Sequence, residues 1–381
     1  MATKKPDSKK ILAAFKKVGA RIETKARVKL KDKKDFALFY TPGVGTVSTH
    51  LAAHPEDART YSVKRNSVAV ISDGTAVLGL GNIGPYGALP VMEGKALIFK
   101  ELANIDAWPI VLDTQDTEEI VNTIIAIAPG WGGINLEDFS APRCFEIERR
   151  LIEALDIPVM HDDQHGTAIV VLAGLINSAK VVKKNFKKLK VVLSGAGAAG
   201  VAITKLLLAA GITDIIVCDR VGIINEGRTD LSDVKRSLAE ISNPRAVSGD
   251  LMDALIEADV IIGVSGPGLI TKDHIKVMAD DAIVFGLANP VPEIMPDDAR
   301  AAGARIVATG RSDFPNQLNN SLVFPGVFRG ALDKGIRKIT TDTKLRAAKA
   351  LAALVKNPTA NKIIPDNLDK RVVPAVAKAV R

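Results

Sequence analysis

The chain has 381 residues, of which 47% are hydrophobic and 25% charged, and its formal net charge is +8. A composition this apolar excludes general disorder, because folding can bury enough surface to offset the entropy of ordering the chain. No run of about 18 uncharged apolar residues occurs, which argues against a membrane-spanning helix. The best candidate, 191–210, is glycine-rich and contains Lys205. We therefore expect a globular protein of two or three domains with no membrane partner.

The positive charge is concentrated at the start of the chain, where residues 1–34 hold thirteen lysines or arginines and three acids. This segment has one aromatic residue, Phe15, and no DNA-reading motif, so a solvated basic face is favoured over a nucleic-acid-binding arm. It also lacks the apolar stretch of a secretory signal. Cys144 and Cys218 are the only cysteines, too few for a disulfide framework. A cytoplasmic protein without nucleic-acid partners is therefore expected.

In the first half of the chain, predicted helices alternate with predicted strands. Apolar residues at helical spacing predict a helix over 8–22, and an apolar stretch at 36–40 ends at a Thr-Pro-Gly sequence. Strands are predicted at 67–72, near 76–80, at 109–112 as a buried strand, and at 157–160. Helices are predicted over 92–104, 117–127 and 142–155. This alternation predicts an α/β domain with a parallel sheet.

The pattern becomes more regular after a lysine-rich connector at 180–190, which follows a predicted apolar helix over 167–179. Strands at 191–193, 214–218, 260–264, 283–285 and 306–308 are interleaved with helices over 198–210 and 232–241. This order predicts a doubly wound parallel sheet. The tail from about 340 is again helical. We divide the chain into an α/β domain at 1–165, a doubly wound domain at 166–345 and a helical tail at 346–381.

The pattern G-x-G-x-x-G occurs twice, and the second copy has the context of a dinucleotide site. It follows a strand, opens a helix and precedes Asp219 at the end of the next strand. Its backbone amides would approach a pyrophosphate, and the residues concerned are Gly195, Ala196, Gly197, Ala198, Ala199 and Gly200. Asp219 would bind the ribose hydroxyls and repel a 2′-phosphate, which favours NAD over NADP. Arg220 beside it could instead pair with that phosphate.

The first copy of the pattern, Gly79, Gly81 and Gly84, is followed by Pro85 and Pro90, which make a poor helix start. A loop of the first domain is therefore favoured over a second nucleotide site.

Two acidic pairs suggest an oxygen-rich metal site. Glu137 and Asp138 follow a glycine break, and Asp162 and Asp163 lie between a strand and the helix that starts near Gly166. Acids at strand ends of an α/β sheet lie where ligands bind, and converging carboxylates favour Mg²⁺ or Mn²⁺. Helix capping or solvated loop acids are the alternatives.

Zinc is a further alternative, because His161 and His165 have an i, i+4 spacing. The H-E-x-x-H pattern is absent and a glycine follows directly, which disfavours it.

Seven segments in the same order make the chain similar to the malic enzyme family in its short prokaryotic form. They are residues 40–44, 78–84, 93–96, 135–139, 161–167, 288–290 and 316–320, and the resemblance runs from about 20 to 345. It implies a substrate (malic) domain at 1–165 and a Rossmann-like NAD(P)-binding domain at 166–345. It also implies oxidative decarboxylation of malate to pyruvate and CO2 with NAD or NADP and a divalent metal, Mg²⁺ or Mn²⁺. A homodimer or higher homo-oligomer, with the N-terminal segment at its interface, is expected.

The resemblance also implies residue roles. Tyr40 matches the general acid and Lys95 the general base, which also contacts substrate. Glu137, Asp138 and Asp163 match the metal ligands, and Asp162 is the adjacent catalytic carboxylate. Asn289, Asn319 and Asn320 match contacts to substrate and nicotinamide. Without the resemblance, Lys95 would be interpreted as a solvated helix lysine and Tyr40 as a half-buried core aromatic.

One position departs from the family's pattern. Ala76 stands where the larger eukaryotic forms have an arginine that grips the substrate carboxylate, so asparagines and backbone amides would hold that group here. Two other functions remain as alternatives. One is a metal-assisted dehydrogenase for another β-hydroxy acid, and the other is a non-catalytic nucleotide-sensing regulator.

Overall fold

The computed structural model describes residues 7–381, so the first six residues of the basic segment lie outside the described residues. Two sheets covered by helices form its framework. The strands are β1 (Ser67–Ser72), β2 (Asp106–Val111), β3 (Gly133–Leu136), β4 (Val159–His161), β5 (Val191–Ser194), β6 (Ile215–Asp219), β7 (Gly222–Ile223), β8 (Val260–Gly263), β9 (Ile283–Gly286) and β10 (Ile306–Thr309).

The helices in residues 7–381 begin with α1 (Ser8–Val18), α2 (Lys33–Phe39), α3 (Gly43–Ala53), α4 (Ala58–Tyr61), α5 (Gly84–Ala103), α6 (Thr117–Ile127), α7 (Arg143–Ala154) and α8 (Asp162–Val181). They continue with α9 (Ala198–Ala209), α10 (Asp233–Ile241), α11 (Leu251–Leu255), α12 (Lys272–Lys276), α13 (Pro296–Ala301), α14 (Phe324–Lys334), α15 (Thr341–Ala353) and α16 (Val372–Ala379). None of these helices combines the length and the apolarity that crossing a membrane requires.

The first sheet is parallel and has the order β2-β1-β3-β4. Its register aligns the strand ends, because Leu136 pairs with Ile71 on one side and with His161 on the other. Residues that follow β1, β3 and β4 therefore lie along one edge. This α/β prediction is confirmed, although β2 is an edge strand with Trp108 44% exposed rather than a buried strand.

The second sheet has the order β10-β9-β8-β5-β6-β7, with only the short β7 antiparallel. The chain moves outward from β5 in one direction to β6 and then in the other to β8, so the strand order reverses at β5. Such a reversal creates a crevice at the carboxyl ends of the strands, where α/β sheets bind ligands. The predicted doubly wound sheet is confirmed.

The two sheets share a continuous core. It includes Val70 of β1 and Val191 of β5, and Phe99 of α5 packs against Phe324 and Phe328 of α14 with ring centroids 4.7 and 5.5 Å apart. Both predicted domain boundaries fall inside helices, at 165 in α8 and at 345 in α15. α8 is buried around most of its surface, so its sequence has no polar stripe from which its start could be recognised.

Three local predictions in the N-terminal half of the chain are wrong. α1 ends at Val18, because Gly19 adopts a left-handed φ of 69°. No strand forms at 76–80; Val77 makes a single bridge to Gly81. α5 begins at Gly84 rather than at 92, since Pro85 lies in its first turn, where the missing amide hydrogen costs nothing.

Two further elements were misjudged beside the acidic pairs. β3 was not predicted, because it is only four residues long and lies between a glycine break and the acids. α8 starts at Asp162 rather than at 167, so Asp162 and Asp163 belong to its first turn. Acidic residues are favourable in that turn because of the helix dipole.

Candidate active site

Three acidic side chains meet at the carboxyl edge of the first sheet. Glu137 and Asp138 follow β3. Asp163 is the second residue of α8, and this helix begins directly after β4. One oxygen atom from each lies within 4.8 Å of the others, and this is the only group of three possible ligands found in the described part of the chain. Asp163 Oδ2 also accepts a hydrogen bond from the Asp138 amide at 2.7 Å.

The electrostatics of these acids fit a bound cation. Burial, followed by repulsion from Asp163, raises the pKa of Glu137 well above its ordinary value and that of Asp138 to about 8. Burial also raises the pKa of Asp162, although Lys95 opposes it. Asp138 Oδ2 and Asp162 Oδ1 are buried without a hydrogen-bond partner. A divalent cation would satisfy these oxygens, and an all-carboxylate set suits Mg²⁺ or Mn²⁺.

Lys95 projects from α5 into the same group. Its Nζ lies 2.5 Å from Asp162 Oδ2, 2.9 Å from Glu137 Oε1, and 4.6 Å from the ring centroid of Phe324. Burial lowers the pKa of Lys95, but Asp162, Glu137 and other acids outweigh it and raise this pKa above its ordinary value. Lys95 is therefore a largely buried ammonium here, and a cation among the same acids would favour its deprotonation.

Tyr40 is not brought to this group. It caps the C-terminus of α2, its side chain is 58% exposed, and its ring makes an edge contact with Phe36 at 5.4 Å. Its hydroxyl has no hydrogen-bond partner among residues 7–381. α2 packs on α3, and neither helix contains a buried residue.

The predicted dinucleotide turn lies between β5 and α9. Gly195 has φ 123°, and a Cβ there would lie 2.6 Å from the Val264 carbonyl oxygen. A Cβ on Gly200 would lie 1.9 Å from the Gly195 carbonyl oxygen, so both glycines are required by close backbone approach. Gly197 precedes α9 and has open space around it, which leaves the helix N-terminus accessible to a phosphate. Ala196 lies in this turn, and Ala198 and Ala199 are the first two residues of α9.

Asp219 ends β6, but its carboxylate is already occupied. Its oxygens accept hydrogen bonds from the Val221 amide at 3.0 Å, from Arg228 at 2.9 and 3.2 Å, and from Lys235 at 2.5 Å. Although burial opposes it, these donors lower the pKa of Asp219 below its ordinary value. Lys235 and Arg228 were not predicted, because nothing in their local sequence marks them as partners of Asp219.

The predicted asparagines lie where loops of the two sheets approach. A Cβ on Gly79 would lie 2.0 Å from the Asn289 carbonyl oxygen, so the 78–84 loop lies directly against the loop after β9. Asn320 lies beside Gly166 of α8, with its Cβ 3.0 Å from the position that a Cβ on Gly166 would occupy. The Asn319 side chain instead accepts the Ser321 amide at 2.9 Å.

Sequence reasoning missed a buried carboxylate that holds the turn before α8. Glu148 of α7 accepts the His161 amide at 2.8 Å and the Gln164 side chain at 3.2 Å. It also lies 2.9 Å from His165 Nε2, and Lys344 Nζ lies 2.9 Å from His165 Nδ1. The signal in the sequence is that Glu148 occupies the apolar stripe of α7, next to Ile147 and Leu151. Because both ring nitrogens of His165 are engaged, the zinc alternative receives no support.

The loop that contains Ala76 is also anchored. Arg143 donates to the buried Asp73 carboxylate at 2.8 Å and to the Thr75 hydroxyl at 3.2 Å. The Ala76 amide donates to the Asp138 carbonyl at 2.8 Å. The backbone of Ala76 is therefore held directly against the backbone of Asp138.

Comparison with known proteins gives matches over almost the whole chain. The family model described as "Malic enzyme, N-terminal domain" matches residues 19–152, and "Malic enzyme, NAD binding domain" matches residues 164–380. The chain is 55% identical to an NAD-dependent malic enzyme of Geobacillus stearothermophilus, over 95% of this chain and 76% of that protein. It is 45% identical to an NADP-dependent malic enzyme of Halomonas elongata, over 91% and 86% of the two chains.

The fold is similar to a solved structure as well. The crystal structure of an NAD-dependent malic enzyme from Thermotoga maritima superposes with a TM-score of 0.94 at 48% identity, covering 97% of this chain and 98% of the other.

Proposed function

Since the chain belongs to the malic enzyme family, we propose that it catalyses the oxidative decarboxylation of malate to pyruvate and CO2, with reduction of NAD or NADP. The observation that carries this function is the placement of Lys95 between Asp162 and Glu137, where three carboxylates meet at one sheet edge. A nucleotide-sensing regulator would not need a largely buried lysine among these acids, and none of the matches described above supports that alternative.

The residues divide the chemistry between them. When bound, a divalent cation supplies positive charge that polarises the C2 oxygen, and the nicotinamide supplies the hydride acceptor. Lys95 Nζ accepts the proton of the malate C2 hydroxyl, and Asp162 orients Lys95 through its hydrogen bond. Glu137, Asp138 and Asp163 hold the cation, and Tyr40 donates the proton that C3 needs after CO2 has left.

The binding residues lie around this group. The amides of 195–200 bind the pyrophosphate, and Asn289 and Asn320 orient the substrate and the nicotinamide. Asn320 is preferred to Asn319 as the substrate contact because the Asn319 side-chain oxygen already caps a turn.

The decisive assay follows the absorbance of reduced cofactor in mixtures of the protein with malate, Mn²⁺ and either NAD or NADP. Formation of pyruvate in step with reduced cofactor supports the proposal. No signal with either cofactor, together with salt-sensitive binding to DNA, would favour the regulator instead. Faster turnover of another β-hydroxy acid would favour the other dehydrogenase.

Glu137→Gln and Asp163→Asn should each raise the Mn²⁺ concentration required for half-maximal activity by at least about tenfold, because each removes a ligand charge. Binding of Mn²⁺ measured by calorimetry should weaken in parallel. Since the pKa of Asp138 is raised to about 8, protons compete with the cation, and affinity should fall as the pH is lowered from 8 to 6.

The matched control for these variants is Glu153→Gln, an exposed acid of α7 paired with Arg149, which should bind Mn²⁺ as the parent does. Full-rate turnover of malate by EDTA-treated parent protein would refute the metal assignment.

A homodimer is proposed because the N-terminal helices leave apolar side chains uncovered. In α1, Ile11, Leu12, Phe15 and Val18 are between 42% and 69% exposed and no residue is buried. A second copy of the chain would cover this face. Because the same exposed region carries Tyr40, the partner could also receive that residue in its active site.

Deleting residues 1–24 should therefore shift the sedimentation profile toward the monomer in analytical ultracentrifugation, since the apolar face of α1 is removed. Deletion of residues 1–6 alone is the control and should leave the profile unchanged. An identical mass distribution for both truncations would count against a role of α1 in the interface.

The compartment is proposed from the cysteines. Cys144 and Cys218 are both buried and unpaired, and burial raises the pKa of each thiol to about 12. Unpaired thiols are typical of a reducing compartment, so a cytoplasmic location fits.

A further inference from the structure

Glu293 is a buried acid of the second sheet's domain that none of the roles assigned so far explains. It lies in the loop between β9 and α13, and it is 0% exposed. Its Oε1 accepts the Ser265 amide and its Oε2 the Ala288 amide, each at 2.9 Å. In the described part of the chain no cationic side chain pairs with it. A buried carboxylate is costly to desolvate, so one held by backbone amides alone marks a candidate functional residue.

The surroundings of Glu293 are built to accept its carboxyl group. Two amide donors favour the carboxylate over the protonated acid, although burial outweighs them and raises the pKa of Glu293. Gly263 and Gly286, which end β8 and β9, leave room for the group. A Cβ on Gly263 would lie 2.6 Å from the Glu293 Cδ, and a Cβ on Gly286 would lie 3.5 Å from Oε2.

The two amides that Glu293 accepts belong to different loops. Ser265 lies in the loop that follows β8, and Ala288 lies in the loop that follows β9. The backbone of Glu293 binds the first loop as well, since the Ile270 amide donates to the Glu293 carbonyl at 3.1 Å. A single side chain therefore fixes two neighbouring loops at the carboxyl edge of the second sheet.

Both loops border groups already assigned to the site. The Ser265 hydroxyl lies 3.3 Å from the Ser194 hydroxyl at the end of β5, directly before the dinucleotide turn. The second loop carries Asn289, whose carbonyl oxygen faces Gly79 of the first domain. Glu293 thus connects the dinucleotide turn with the loop that approaches the acidic group.

The order of the strands indicates which half of the cofactor these loops would receive. Asp219 at the end of β6 marks the side of the adenosine ribose, and β8 lies on the other side of β5. A dinucleotide bound across the carboxyl ends would extend from β6 over β5 toward β8 and β9. The loops held by Glu293 therefore lie on the side of the nicotinamide.

We propose that Glu293 is a positioning residue that fixes these two loops for the nicotinamide half of the cofactor. Because it is fully buried, it acts through the Ser265 and Ala288 amides. Without its carboxylate these amides lose their acceptor, and Asn289, next to Ala288, is no longer fixed. The turn at 195–200 is held by close backbone packing and should keep its binding of the pyrophosphate. This inference rests on the proposed function only in that the cofactor is NAD or NADP.

The test compares a reduced cofactor with the same molecule lacking nicotinamide and its ribose, by calorimetry without malate. The pair is NADH with ADP-ribose, or NADPH with 2′-phospho-ADP-ribose, according to which reduced cofactor the parent prefers. Glu293→Gln keeps the size of the side chain but replaces one acceptor oxygen by an NH2 donor. The reduced cofactor should bind at least about fivefold more weakly, as for a buried donor left unpaired, and the fragment should change by less than about twofold.

Gly263→Ala is an independent variant, because its Cβ displaces the carboxyl group while Glu293 itself is unchanged. It should weaken the reduced cofactor and spare the fragment in the same way, and it carries the test if Glu293→Gln does not fold. Asp297→Asn is the matched control, since the Asp297 side chain of α13 is 90% exposed. This variant should bind both molecules as the parent does.

Hydrogen–deuterium exchange of the parent protein tests the same placement without a variant. The reduced cofactor should slow exchange in the loops at 264–270 and 287–292, whereas the fragment should slow it only at 195–200. In Glu293→Gln the two loops should exchange faster than in the parent before any ligand is added.

Equal weakening of the reduced cofactor and its fragment in the variants, or no weakening of either, would overturn the proposal. Equal protection of the two loops by both molecules in the parent would overturn it as well. Failure of the proposed function appears differently, as the absence of malate turnover by the parent protein while the variants still distinguish the reduced cofactor from its fragment.

Discussion

Lys95→Ala should slow both malate oxidation and oxaloacetate reduction by about 10²–10⁴-fold, the usual contribution of one general acid–base group. The proton on the C2 oxygen is transferred in both reactions, and Lys95 is the group proposed to accept or return it. The measurement is the steady-state rate in each direction with saturating Mn²⁺ and cofactor. Oxaloacetate reduction retained at the parent rate would contradict the assignment of Lys95 as the base.

The variant also changes the stability of the site, which a control must separate from catalysis. Removing Lys95 leaves the buried Asp162 and Glu137 without their cationic partner, a loss that costs about 3–5 kcal/mol for a buried pair. Thermal unfolding should therefore be measured alongside activity, and Lys95→Arg provides a variant that keeps the charge. Lys100→Ala alters an exposed lysine of the same helix and should retain both activities.

Tyr40→Phe should reduce the overall conversion of malate to pyruvate by about 10²–10⁴-fold while leaving oxaloacetate reduction largely intact. The tyrosine is proposed to protonate C3 after CO2 has left, and oxaloacetate reduction includes no proton transfer to C3. The ring is retained and the hydroxyl makes no hydrogen bond in the described structure, so folding stability should be unchanged. Incorporation of solvent deuterium at C3 of pyruvate reports the step directly.

Loss of oxaloacetate reduction in Tyr40→Phe as complete as in Lys95→Ala would show that this division of roles is wrong. The exposed position of Tyr40 adds a second measurement. If Tyr40 acts in the partner's active site, Tyr40→Phe and Lys95→Ala chains that are unfolded, mixed and refolded together should recover up to about a quarter of the parent activity. Random pairing makes half of the dimers mixed, and each mixed dimer has one site with both residues intact. No recovery would place both residues in sites of a single chain.

Local pattern was sufficient to predict some elements and insufficient for others. β1 and α6 were predicted with their observed bounds because β-branched residues and a regular apolar spacing occur within each segment. The start of α5 was missed because prolines were interpreted as helix breakers, whereas Pro85 occupies the first turn. β3 is too short for its periodicity to be recognised.

The candidate site was predictable to a similar extent. Acids that follow strands were expected at one edge, and the register of β1, β3 and β4 brings them there. The pairing of Lys95 with Asp162 spans 67 residues, and only the family resemblance indicated it. Glu148, Arg228 and Lys235 act through contacts between distant segments or through loop geometry, which residue spacing does not report.

The helix α8 has a consequence for how the two halves of the reaction are held together. It starts with Asp162 and Asp163 at the acidic group and extends for 20 residues, about 30 Å, along the helix that follows the dinucleotide turn. Most residues of α8 are buried, so it is closely packed along most of its length. The distance between the acidic group at the start of α8 and the dinucleotide turn before α9 therefore depends on how the side chains of these two helices pack against each other.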